Sequence, residues 1–126
     1  MDAAATGEPG VVDLDALDRR GSDGVVWSLP QDGDLNANLV KLGAGAQIPA
    51  HDNDDVDVLL VVVAGSGVAV LDGAEHVLRP NRLLLLRKGT RRSLAAAPDA
   101  ELVYLTVHRA RTGLRIGSPA PRSRRA

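Results

Sequence analysis

The stretch Asp57-Val-Leu-Leu-Val-Val-Val-Ala-Gly65-Ser-Gly67-Val-Ala-Val-Leu71-Asp72-Gly73 decides the fold of this chain. After Asp57 its first half is an unbroken aliphatic run, which predicts a central strand covered on both faces. The run is much too short to span a bilayer. Gly65-Ser66-Gly67 predicts a hairpin turn, and Asp72-Gly73 is the strongest two-residue hairpin signal in the chain. The middle of the chain therefore predicts short strands joined by tight turns.

Short apolar runs separated by turn residues also occur on both sides of this stretch. Short runs rich in Val, Leu and Ala recur at spacings of about eight to twelve residues, with Gly, Pro, Asn and Asp between them. No segment is long enough to supply the helices of a parallel α/β sheet, and residues 13–20 predict only one helical turn with Asp13 as its N-cap. The sequence thus predicts an all-β fold, an antiparallel sandwich or jelly-roll barrel. The nine predicted strands are 25–29, 35–42, 48–51, 57–64, 68–71, 76–79, 83–87, 92–96 and 101–109.

The composition bounds the size and chemistry of the domain. A chain of 126 residues makes one domain with a modest core. Val, Leu and Ala have to fill that core, because there is no Phe, one Trp and one Tyr. Cysteine is absent, which excludes disulfides, thiolate metal sites and a cysteine nucleophile. The predicted layout is a disordered N-terminal segment (1–12), a β domain (13–115) and a disordered basic tail (116–126).

Charge is distributed unevenly along the chain. Residues 1–34 hold eight acids and two arginines, whereas residues 109–126 hold six arginines and no acid. An arginine-rich tail can contact nucleic acid or anionic lipid, but a solvated tail is the simpler interpretation, so neither is an expected partner. The first thirty residues lack an apolar leader, and the expected location is the cytoplasm.

Gly45, His51 and Gly65 lie at the spacing of a known motif. The chain resembles the first motif of the cupin family, which runs Gly, five residues, His-x-His, three or four residues, Glu, six residues, Gly. Asn53 stands where the second His belongs, and Val58 stands where the Glu belongs. The resemblance implies a small single-domain cupin with a degenerate metal-binding motif. It also implies the jelly-roll barrel that the strand rhythm predicts independently.

The second cupin motif departs further from its pattern. It runs Gly, five residues, Pro-x-Gly, two residues, His, three residues, Asn; within residues 81–96 Gly89 matches by identity, and Arg92 replaces the metal-binding His. In metal cupins three His and one Glu converge on a divalent ion. Here Val58 cannot ligate, and the guanidinium of Arg92 would repel a cation. The resemblance therefore implies that the metal has been lost, and we expect no cofactor.

The motif positions still supply candidate binding residues. If the register of the resemblance holds, His51 and Arg92 face the same interior and Arg91 points outward. An interior guanidinium needs an anion, so we expect either Asp57 or a bound anion beside Arg92. His76 is expected to face solvent, and His108 is expected at solvent or at the dimer edge. The complete predicted ligand-binding set is His51, Asn53, Arg92, Asn38 and Tyr104.

Three functions are compatible with this pattern. The first is a protein that binds a small anionic ligand in the barrel without metal, and the sequence favours it over an enzyme because it needs no further residues. The second is a metal-independent isomerase, epimerase or cyclase with His51 as general base, for which no acid partner is evident. The third is a metal-dependent dioxygenase with an atypical site, whose ligands are absent.

The apolar content also predicts a homodimer. Residues 58–63 are apolar on both faces, and much of 102–107 is apolar as well. One small domain cannot bury both faces of two such sheets, so a second copy is expected to cover the surplus.

Overall fold

The computed structural model describes residues 10–30, 33–53 and 55–110. Within them the chain forms nine strands, preceded by one 3-10 turn at Leu14–Ala16, where the Asp13 carboxylate accepts a hydrogen bond from the Asp15 amide at 3.0 Å. The predicted disordered tail (116–126), and all but residues 10–12 of the predicted N-terminal segment, lie outside the described residues. The strands are β1 (Gly24–Ser28), β2 (Leu35–Leu42), β3 (Gln47–His51), β4 (Val58–Gly65), β5 (Gly67–Leu71), β6 (Ala74–Leu78), β7 (Leu83–Leu86), β8 (Arg92–Ala96) and β9 (Leu102–Arg109).

These strands form two antiparallel sheets that pack face to face. One sheet has the order β1-β2-β9-β4-β7, and the other has the order β3-β8-β5-β6. Leu60 and Tyr104 of the first sheet and Ala69 and Leu94 of the second belong to one buried cluster. Each large aliphatic side chain contributes about 1.5–3 kcal/mol when fully buried, which holds the two layers together without phenylalanine. The predicted all-β, antiparallel jelly-roll class is confirmed.

The hairpin turn predicted at Asp72-Gly73 is confirmed. Both residues have positive φ, 47° and 89°, as a type I′ turn requires. Leu71 and Ala74 pair across it, so β5 and β6 form a true hairpin.

The hairpin predicted at Gly65-Ser66-Gly67 is wrong. β4 pairs with β7 and β9, whereas β5 pairs with β6 and β8, so the two strands belong to different sheets. The Ser66 amide donates to the carbonyl of Glu101 at 3.1 Å, and the Ser66 carbonyl accepts from the amide of Ala97 at 2.9 Å. The turn therefore links the sheets at one end, where β8 finishes and β9 begins. At the opposite end of the sandwich β8 begins and β9 finishes.

The central strand β4 is covered on one face rather than two. Val58, Leu60 and Val62 are at most 2 % exposed, while Leu59 and Val61 are half-buried. The apolar run concealed this difference, because both faces carry the same residue types. The inner face belongs to the core, and the outer face stays partly open.

Candidate functional site

The site is built around Arg92, the first residue of β8. Its side chain is 1 % exposed, whereas the Arg91 side chain is 62 % exposed, so the predicted inward and outward orientations are both confirmed. Strand alternation explains the contrast, since successive side chains point to opposite faces of a sheet. On the inner face Arg92 pairs with His51 of β3 on one side and Leu71 of β5 on the other.

The guanidinium of Arg92 has no internal hydrogen-bond partner. Among the described residues neither Nε, Nη1 nor Nη2 is matched by an acceptor. Burial lowers the pKa of Arg92 from its usual range, while attraction to Tyr104 and Asp52 acts in the opposite direction. An arginine keeps its proton in proteins, so the site presents a buried cation with five N–H donors.

The predicted partner Asp57 does not lie beside this cation. Asp57 is exposed, and its carboxylate accepts a hydrogen bond from the Lys88 amide at 2.8 Å. Asp52 is also exposed and lies 3.5 Å from the outward-pointing Arg91. In the described parts of the chain the buried polar or charged residues are Arg92 and Thr106, so no carboxylate is buried near the guanidinium.

His51 ends β3 directly opposite Arg92. Its ring is half-buried, and its Nδ1 atom lies 3.0 Å from the carbonyl oxygen of Pro49. Its Nε2 atom is buried and has no hydrogen-bond partner within the described residues. The structure thus brings the two main predicted site residues together on neighbouring strands.

The facing sheet presents a polar end to Arg92. Along β2 and β9 the inner-face pairs are Val40 with Tyr104, Asn38 with Thr106, and Asn36 with His108. Tyr104 is 0 % exposed and Thr106 is 1 % exposed, and His108 is half-buried. Thr106 was absent from the predicted set, although its alternation with Tyr104 was a signal that could have found it.

The two predicted asparagines have structural partners. The Asn53 side-chain oxygen accepts hydrogen bonds from the amides of Asp55 at 2.9 Å and Val56 at 3.5 Å, so it stabilises the turn before β4. The Asn38 side-chain oxygen accepts a hydrogen bond from the Ser28 hydroxyl at 2.6 Å. Asn38 lies on the inner face, whereas Asn53 lies in the loop outside the strands. His76 is exposed, as predicted.

The residues at the four cupin metal positions do not fit a metal ion. Val58 is buried in the core and has no ligand atom, and Arg92 brings a positive charge into the space. Across residues 10–30, 33–53 and 55–110, no three His, Asp or Glu side chains form a group that could hold a metal. The arrangement suits an anion, because the interior offers N–H donors and a cation rather than carboxylates.

The described part of the chain contains no helix with the length and apolar character needed to cross a membrane. The cytoplasmic location stays a prediction.

A protein-family model matches the part of the chain that contains these site residues. The model of the AraC-like ligand-binding domain family matches residues 47–110, from β3 to the end of β9. This is half of the chain and includes both His51 and Arg92. The chain belongs to the AraC-like ligand-binding domain family. No curated protein matches the chain as a relative.

Solved structures show that this AraC-like domain has the cupin fold, as the motif resemblance predicted. A Bacillus halodurans protein is 18% identical with a TM-score of 0.70, and the match covers 84% of each chain. KdgF from Halomonas sp. is 25% identical with a TM-score of 0.60, covering 68% of this chain and 77% of that chain. A cupin protein from Bacteroides fragilis is 21% identical with a TM-score of 0.58, covering 68% of this chain and 74% of that chain.

Proposed function

We propose that this domain binds a small anionic molecule between its two sheets, with Arg92 as the charged anchor and without a metal. The observation that carries the proposal is the 1 % exposure of an arginine that has no acceptor among the described residues. An unpaired buried charge costs several kcal/mol, because the protein replaces its hydration with nothing equivalent. A bound anion supplies the missing acceptors.

A small carboxylate is the anion that we propose for this guanidinium. Arg92 presents its Nε and Nη donors as a planar fork, which two carboxylate oxygens can accept in parallel. Tyr104, Thr106 and Asn38 on the facing sheet add polar groups around the anion. Leu60 and Leu94 belong to the buried cluster between the sheets, so we expect the rest of the ligand to meet aliphatic side chains. Membership of a ligand-binding family supports this reading.

Calorimetric titration of chelator-treated protein with short-chain carboxylates tests the proposal. We expect saturable binding of acetate or propionate, with no change when divalent metal is added back, because Arg92 supplies the positive charge. Arg91→Met is the matched control, since this neighbouring arginine points outward, and its affinity should equal that of the parent. Binding that appears only after addition of a metal would contradict the proposal, and so would stoichiometric metal that survives the chelator.

We also propose that a second copy of this chain covers the outer face of the five-stranded sheet. On that face two cross-strand rows of aliphatic side chains run across β9, β4 and β7: Val107–Leu59–Leu85 and Leu105–Val61–Leu83. Leu83 is 59 % exposed and Leu85 is 48 % exposed. These two rows carry no charge, which favours a symmetric pair over a charged partner at this part of the face.

Replacing Leu83 with Lys and Leu85 with Glu in one variant is therefore expected to convert a dimer into a monomer. These side chains lie on the edge strand β7, where charges are well tolerated. Light scattering at tens of micromolar measures the mass. Val77→Lys is the matched control, because Val77 is 56 % exposed on the edge strand of the other sheet and should leave the dimer intact. A monomer mass for the parent protein would contradict this proposal.

A further inference from the structure

The hydrogen bond of His51 determines what its free nitrogen can do. A backbone carbonyl only accepts, so the Nδ1 atom that faces the Pro49 oxygen at 3.0 Å carries the ring proton and donates it. In the neutral imidazole the other nitrogen, Nε2, then has no proton and acts as an acceptor. This acceptor is buried and unmatched among the described residues.

The acceptor lies beside a group that can only donate. His51 and Arg92 are direct partners across β3 and β8. Residues directly opposite each other in an antiparallel pair have Cβ atoms about 4.5–5.5 Å apart. A molecule that satisfies both must offer acceptors to the guanidinium and a hydrogen-bond donor to Nε2, and the two groups must be close together in the molecule.

We propose that the ligand is a small hydroxycarboxylate, a class that the His51–Arg92 pair selects over plain carboxylates. This rests on the proposed anion binding. The carboxylate oxygens accept from Arg92, and the hydroxyl on the neighbouring carbon donates to His51 Nε2. An amino acid also carries a donor next to its carboxylate, but its ammonium group is repelled by the buried guanidinium. Leu94 and Leu60 belong to the buried aliphatic cluster between the sheets, so we expect the remaining substituent to be small and apolar.

The test compares ligands that differ by one hydroxyl. Lactate against propionate and glycolate against acetate are titrated by calorimetry at about pH 8, above the range in which free histidine titrates. Each hydroxy acid is expected to bind roughly tenfold more tightly than its partner, because the plain acid leaves a buried acceptor unmatched. His51→Phe keeps a planar ring but removes the acceptor, so lactate and propionate should bind this variant with affinities within about threefold of each other.

The outcomes separate this inference from the proposed function. Equal affinities for lactate and propionate would overturn the hydroxycarboxylate class and leave carboxylate binding standing. A preference that persists in His51→Phe would overturn the role of His51, and tighter binding of glycine than of glycolate would overturn the charge argument. Failure of all four acids to bind would overturn the proposed function as well.

Discussion

Arg92→Met is expected to abolish carboxylate binding and, at the same time, to raise the free energy of unfolding of the ligand-free domain by about 1–4 kcal/mol. Methionine keeps most of the length of the stem and removes the charge. The guanidinium has no internal acceptor, so its loss relieves a desolvation cost without breaking a hydrogen bond within the described residues. A substitution that stabilises the fold and destroys binding is the behaviour expected of a residue retained for function.

Urea unfolding followed by circular dichroism measures the stability, and calorimetry measures the binding. Arg91→Met serves as the control, because its exposed ion pair with Asp52 is worth little and its removal should change stability by less than about 1 kcal/mol. If Arg92→Met destabilises the domain, Arg92 has an internal role that the anion proposal does not include. If the variant still binds carboxylates with the parent affinity, Arg92 is not the anchor.

Gly65→Ala is expected to lower the free energy of unfolding by about 2–5 kcal/mol, the largest loss from a single methyl group in this domain. Gly65 has φ of +81°, and a Cβ there would overlap the carbonyl oxygen of Glu101 and lie 3.1 Å from the Cα of Leu102. The obstacle is backbone of the neighbouring strand β9, which cannot rotate away. The same turn carries Gly67, whose Cβ would overlap the carbonyl oxygen of Ala95.

Gly73→Ala is the matched control for this prediction. Gly73 has φ of +89°, but nothing lies within 4 Å of the position of its Cβ. Its substitution carries only the conformational cost, about 1–2 kcal/mol. Urea unfolding measures the loss in free energy of unfolding for both variants. The difference between the two losses gives the cost of the steric overlap at Gly65. Equal losses in the free energy of unfolding for the two variants would show that the Gly65–Gly67 turn tolerates a methyl group.

The local sequence pattern was sufficient to predict the strands of this fold. All nine strands and the Asp72-Gly73 hairpin could be predicted, because each depends on alternation or on positive φ over a few residues. The opposite orientations of Arg91 and Arg92 were predicted from the register of the motif resemblance. The pairing of His51 with Arg92 came from motif resemblance rather than from pattern. Neither source identified Thr106, whose burial depends on the layer that faces it.

The partners of individual side chains could not be predicted in the same way. Asp57 was a plausible counter-charge for Arg92 because it adjoins Val58, which stands at the Glu position of the motif, yet its carboxylate accepts from the Lys88 amide. Asn53 was a plausible ligand residue, yet its oxygen stabilises the turn before β4. In both cases a backbone amide that needed an acceptor decided the outcome.

By itself, the sequence determined an antiparallel β domain with an arginine where a metal ligand would stand. Periodicity, turn residues and motif spacing are local properties, and they are sufficient for that conclusion. Only the tertiary structure decided that the Gly65–Gly67 turn crosses between sheets, that one face of β4 stays partly open, and that no carboxylate of the described residues accepts a hydrogen bond from Arg92. These facts depend on which distant segments meet, and segments with the same apolar residues can pair in several ways until hydrogen bonds and packing select one.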